Sequence, residues 1–110
     1  MTDEYLQVIT TTATEEEAGR LARSVVEARL AACAQVLGPI TSTFWWRGGI
    51  DTTPEWICLM KTTGTRFDAL VAHLKAHHSY EVPEITATPI SRGSDDYLAW
   101  ISDETGDLRS

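Results

Sequence analysis

His73, His77 and His78 are the only histidines in the 110-residue chain, and they fall within one short stretch. If that stretch is helical, His73 and His77 stand one turn apart on the same face. Two imidazoles so placed can meet one cation, and imidazole suits copper, zinc and nickel. Glu81 and Glu84 follow on the adjoining loop, where they could add oxygen ligands beside His77 and His78. The pattern also has a second reading. Two imidazoles without a third protein ligand hold a metal weakly, and histidines in a last helical turn complement the negative helix end, with one of them packed beneath neighbouring strands. Spacing leaves both readings open.

Sulfur offers less. Cys58 and Met60 lie two apart in an extended run and so on one face, where soft ligands could meet Cu(I). No third soft ligand stands near them, and both read as core fillers between helices and a sheet. Cys33, beside Ala31 and Ala32, reads as packing too. The TTTAT loop of Thr10 to Thr14 leads into a helix N-terminus, but without a Gly-rich cradle or arginine it reads as an ordinary capped helix rather than an anion site. No Ser/His/Asp or Cys/His arrangement suggests catalysis, and no motif for an organic cofactor is present, so a protein that is not an enzyme is expected. The formal net charge of −7 and the absence of a Lys/Arg cluster argue against nucleic acid and against an anionic membrane, because both are bound through phosphate neutralisation. No run approaches the roughly 18 apolar residues of a membrane span, and the acidic start MTDEY lacks the basic and apolar blocks of a secretion signal. A cytoplasmic protein is expected.

The elements that must position these residues are organised around the stretch from Cys33 to Thr63, which reads as one long β-hairpin turning at Gly48-Gly49, where positive φ is needed. Each arm reaches about 14 residues, roughly 45 Å at about 3.3 Å per residue, against roughly 35 Å for a globule of this size. Gly38-Pro39 is expected to bend the first arm and Pro54 the second, yet an overhang survives. Phe44, Trp45 and Trp46 alternate between faces near its tip, with Trp56 further down, so neither face suits water alone. Another copy of the chain is the simplest cover. With Arg47 facing Ile50, Cys58 would lie opposite Pro39 and Cys33 opposite Gly64, too far apart for a disulfide, whose Cα atoms stand about 4.4 to 6.8 Å apart. Two free thiols are expected, which fits a reducing compartment.

Ahead of the hairpin, Tyr5 to Thr12 is a β-branched run with Leu6, Val8 and Thr10 on one face. Thr14 and Glu17 form a capping box for a helix from about Thr14 to Leu30, with Ala18, Leu21, Ala22 and Val25 at helical spacing. Beyond Gly64, Phe67, Leu70, Val71 and Leu74 repeat the pattern in a second helix, opened by Thr65 and ending at His77 or His78. Pro83 to Ser91 reads as a fourth strand, Arg92-Gly93 as a turn, Ser94 as the cap of a short helix bearing Tyr97, Leu98, Trp100 and Ile101, and the tail from Glu104 as frayed. The order βαββαβ with a short C-terminal helix is an α+β, ferredoxin-like sandwich of two split βαβ units, one domain over residues 1–110. Right-handed crossovers place both long helices on one face of a four-stranded antiparallel sheet and leave the other face bare, a second argument for assembly.

Four blocks in this order, ARLAAC (Ala28 to Cys33), TSTFWWRGGI (Thr41 to Ile50), HHSYEVPEI (His77 to Ile85) and DYLAWI (Asp96 to Ile101), make the chain resemble the CutA family of divalent-cation tolerance proteins over nearly its whole length. The resemblance implies a homotrimer in which hairpins carrying Phe44, Trp45 and Trp46 extend the sheets across subunits. The family is similar in fold and trimeric build to the PII signalling proteins, which implies clefts between subunits for a small ligand. Tyr80 and Glu84 at the acidic corner, with Lys61, Tyr97 and Trp100, are the expected lining. The resemblance also implies a link to Cu2+ or another divalent cation through His77 and His78, together with a cysteine at the end of the first strand, and the spacing adds His73, Glu81 and Glu84 as further ligands. The strand-end position is Thr11 here, and Thr is a poor copper ligand. A non-enzymatic, cytoplasmic homotrimer associated with divalent-metal tolerance is therefore expected, with a trimeric scaffold or small-ligand sensor as the alternative.

Overall fold

In the computed structural model, residues 4–106 are described. Tyr5–Thr12 forms strand β1, where Leu6, Val8 and Thr10 are buried and the residues between them are half-open. Helix α1, Glu15–Glu27, begins where Thr14 Oγ1 accepts the Glu17 N–H at 3.1 Å, and three glutamates in its first turn suit the positive helix end. The expected capping box is only half made, because the Glu17 carboxylate is drawn instead to Ser79. The helix stops at Glu27, short of the expected Leu30, since Arg29 turns the chain with a φ of 62°. Strands β2 (Cys33–Trp46) and β3 (Gly49–Thr63) make the hairpin. Helix α2, Gly64–His77, follows β3 directly, with Thr63 at its N-cap position. Strand β4, Thr86–Pro89, is shorter than the expected Pro83 to Ser91, because it pairs only with Leu6 to Ile9 of β1 while the residues before it form a separate corner. Helix α3, Asp95–Glu104, is capped by Ser94, whose Oγ accepts the Tyr97 N–H at 3.3 Å.

The strands form one antiparallel sheet in the order β2-β3-β1-β4. This is the ferredoxin-like sandwich, with α1 and α2 on one face. There Leu21 and Val25 of α1 and Leu70 and Leu74 of α2 meet Leu6, Val8, Cys58 and Met60. Val8, Met60, Leu70 and Leu74 are wholly out of water, and each such side chain stabilises the fold by about 1.5–3 kcal/mol. Burial pushes the Cys58 thiol up to about 11, as suits a core filler.

The second face is not entirely bare. Helix α3 crosses one end of it, where Ile101 is fully buried and the Tyr5 and Ser102 hydroxyls bond at 2.7 Å. The tail is also tied down further than expected. Arg29 pairs with Glu104, and Arg66 donates to the Thr105 and Gly106 carbonyls at 2.6 and 3.0 Å. Residues 107–110 of that tail and residues 1–3 of the acidic start lie outside the described residues.

The hairpin turns one residue earlier than its glycine pair suggests. Arg47 and Gly48 take φ of 53° and 83°, the two positive values of a primed turn, while Gly49 joins the strand opposite Trp46. Trp45, not Arg47, therefore faces Ile50. The register does shift between Leu37 and Ile40, at Gly38-Pro39. Pro54 causes no such shift: it pairs with Thr41, and β1 has already stopped opposite Trp56, so Pro54 borders a strand on one side only. Cys58 consequently faces Val36 and Cys33 faces Lys61, and both thiols are free. The molecule measures 48 × 27 × 21 Å, its long axis drawn out by the hairpin.

Where the hairpin bends, a Cβ on Gly38 would lie 2.7 Å from Cδ1 of Trp56 and 3.0 Å from the Glu55 carbonyl oxygen. Gly38→Ala is expected to destabilise the fold by about 1–3 kcal/mol, as overpacking does, read as a lower urea midpoint. A midpoint equal to the parent's would show that the indole gives way freely.

Candidate functional site

Helix α2 ends at His77, and an extended corner carries the chain from there to β4. The side chain of His78, first in that corner, is completely buried. Its Nε2–H donates to the Thr11 carbonyl at 2.9 Å, with the Thr10 hydroxyl 3.1 Å away, and its Nδ1 accepts the Tyr80 N–H at 3.1 Å. Both ring nitrogens are thereby engaged. Glu17 Oε2 stands 3.6 Å from Nδ1, but the Glu17 carboxylate is held by Ser79, whose N–H and hydroxyl donate at 2.9 and 2.8 Å. The Tyr80 hydroxyl in turn donates to Glu55 Oε2 on β3 at 2.6 Å. Burial, then the bond to Glu55 and the negative fields of Glu55 and Glu17, push the Tyr80 phenol up. Both carboxylates sit out of water, Glu17 at 5% exposure and Glu55 at 6%.

His77 turns the other way. Its Nδ1–H donates to the His73 carbonyl at 2.8 Å, and its ring stacks on that of His73 with centroids 4.3 Å apart and planes inclined by 28°. His73 Nε2 lies 3.0 Å from Ser24 Oγ on α1. Burial, and secondarily the neighbouring His77, hold the His73 imidazole below its ordinary value near 6.5. Nitrogen lone pairs lie in the ring plane, so two nearly parallel rings aim theirs side by side rather than at one point. The helix thus brings His73 and His77 together as a stack, and the corner parts His77 from His78. His77 and His78 therefore face different surroundings. Glu81 reaches Arg47 at 3.2 Å, Glu84 accepts from the Thr86 hydroxyl at 3.1 Å, and Thr11 gives its carbonyl to His78. Among the described residues, no three His, Cys, Asp or Glu side chains are grouped to hold a metal ion.

The hairpin arches over the corner and encloses an open groove of about 1040 Å3. Tyr80 and Glu84 line this groove within one chain, while Lys61, Tyr97 and Trp100 lie outside it. Lys61 Nζ donates to Gln35 Oε1 at 3.0 Å, while Tyr97 and Trp100 sit on α3 with rings 5.4 Å apart. Hydrogen bonding to Cys33, then burial, raise the Tyr97 phenol. Trp45 and Trp46 stand at the rim, Trp45 73% exposed and Trp46 with the Arg47 guanidinium 5.2 Å from its ring centre. Glu17, Glu55 and Ser79 are the site residues that sequence reasoning missed. For Glu55 a signal existed, since strand alternation sets it on the same face as Ile57.

A family model described as CutA1 divalent ion tolerance protein matches residues 6–104. The chain belongs to that family. The Divalent-cation tolerance protein CutA of Thermus thermophilus is 41% identical over 99 residues, covering 90% of this chain and 96% of that one. Protein CutA 1, chloroplastic, of Oryza sativa is also 41% identical over 99 residues, covering 89% of this chain, but this chain spans only 56% of that relative's length. The crystal structure of CutA1 from Oryza sativa superposes with a TM-score of 0.92 at 38% identity, covering 96% of this chain and 97% of that one. Among the described residues, no helix of this CutA1 family member is long and apolar enough to cross a membrane.

Two outcomes follow from the buried network and the stacked pair. Tyr80→Phe leaves the enclosed Glu55 carboxylate without its donor and should cost about 1–3 kcal/mol in a urea melt; an unchanged melt would show that water replaces the hydroxyl at no cost. Because the folded state holds His73 below its ordinary value near 6.5, the unfolded chain binds the extra proton first as pH falls. The contribution is therefore intact above that value and is lost as pH drops from there through the lowered folded value. His73→Gln should flatten the fall in melting temperature over that window, and an equally steep fall in the variant would assign it to other groups.

Proposed function

We propose that this chain, as one domain per subunit, acts as a non-catalytic homotrimer of the cytoplasm that contributes to divalent-cation tolerance, with copper among the cations. The observation that carries assembly is the outward apolar surface of the hairpin. Trp45 and Ile50, directly opposite each other, are 73% and 65% exposed. Strand β2 is also a sheet edge over its whole length, and an edge this long and apolar invites another chain. Two free thiols are in keeping with a reducing compartment. For copper, the exposed His77 offers Nε2, which makes no hydrogen bond among the described residues, whereas His78 acts through the fold. The groove beneath the hairpin favours a second reading, a trimeric scaffold or sensor for a small ligand.

Light scattering with copper calorimetry tests the first reading. A trimeric mass is expected, with His77→Ala weakening copper binding about tenfold or more, and His78→Ala lowering thermal stability while leaving copper affinity near the parent's. A monomer at micromolar concentration, or copper binding indifferent to His77→Ala, would overturn the assembly or the site respectively.

A further inference from the structure

We infer that helix α3 is a strap that opens and closes as a unit over one end of the second sheet face, held shut by Arg29 and Arg66 from the ends of the two long helices. Among the described residues, the anchors of α3 gather in its second half. Ile101 is its one fully buried apolar side chain, whereas α1 buries Leu21 and Val25 and α2 buries Leu70 and Leu74. Elements with the fewest buried apolar groups open first, so α3 is the helix that detaches at least cost. Its other anchors are polar. The Tyr5 hydroxyl meets Ser102, Arg29 meets Glu104, and Arg66 meets the Thr105 and Gly106 carbonyls. In the first half, Tyr97 and Trp100 are 41% and 38% exposed in the single chain, and the Tyr97 hydroxyl has only the Cys33 sulfur, 3.6 Å away. The residues leading into that half, Ser91 to Ser94, belong to no helix or strand.

The two arginines are placed for this contact. Arg29 leaves α1 with a φ of 62°, a conformation that glycine adopts without steric cost. Turn chemistry therefore does not call for an arginine there, and the reach of its side chain to Glu104 does. Arg66, in the first turn of α2, donates two N–H groups to the last carbonyls of α3, where the negative end of a helix favours a cation. Bonds from a charged donor are roughly twice as strong as neutral ones, so closure leans on these two side chains more than on burial. Closed, the strap sets Tyr97 against Cys33 at the start of β2, on the sheet face that the assembly reading turns toward other subunits. A partner that meets only the closed form favours closure, so strap and assembly are linked. That link rests on the assembly reading, while the strap itself lies within one chain.

Hydrogen exchange of the full chain, followed by mass spectrometry, tests the strap, with light scattering on the same samples. Amides of α3 are expected to exchange about tenfold or more faster than those around Leu70 and Leu74. Arg66→Met keeps the stem and removes the donors, and should speed α3 about tenfold further while leaving α1 and α2 as they were. Arg29→Gly relaxes the turn, and should speed α3 several-fold without speeding α1. Exchange of α3 in step with α2 in the parent and in both variants would overturn the strap. Arg66→Met should also raise several-fold the concentration at which the oligomer dissociates. Unchanged dissociation, or a monomeric parent, would overturn the link to assembly, and exchange would still decide the strap.

Discussion

The ring of His78 has no contact with water, and a buried polar ring must satisfy both of its nitrogens within the protein. It does so by joining the end of β1, through Thr11, to the backbone of Tyr80 in the corner after α2. Ser79 on one side ties the same corner to Glu17 at the start of α1, and Tyr80 ties it to Glu55 on β3. Three consecutive residues thus fasten a helix start, a strand end and the hairpin base to one another. An irregular segment would otherwise have little to hold it, since the corner itself has no regular backbone ladder.

That fastening gives the hairpin its purpose. β2 and β3 run on past the end of β1, which stops opposite Trp56, so the outer part of the hairpin has no third strand beside it. It is bent at Gly38-Pro39 over Trp56 and returns toward the corner, where Arg47 meets Glu81. The same curvature leaves apolar side chains facing outward and encloses an acidic groove inside. Trp45 and Ile50 lie on one side of this hairpin, and Asp51 and Glu55 on the other.

Much of this was legible in residue order. Alternation in Tyr5 to Thr12 and helical spacing of Leu21 and Val25, and of Leu70 and Leu74, follow from the two periodicities of regular structure and carry the βαββαβ order with them. Gly38-Pro39 announced its bulge because proline has no N–H to give a ladder. Pro54 misled, because its tolerance depends on where β1 stops, a fact of a different segment. The turn misled by one residue, since Arg47 accepts the positive φ that Gly49 seemed better placed to supply. Glu17 looked like half of a capping box, and only the approach of Ser79 takes its carboxylate away.

By itself, then, the sequence determined the fold, the family resemblance, the two free thiols and the proximity of His73 to His77, because each depends on local period, turn chemistry or near neighbours along the chain. Only the tertiary structure decided that His77 and His78, adjacent in the chain, point to different surroundings, and that Glu55 lies under Tyr80. The physical reason is that an extended corner follows the helix at this point. Direction there is set not by helical spacing but by which distant acceptors, Thr11 and Glu55, are present to satisfy buried donors.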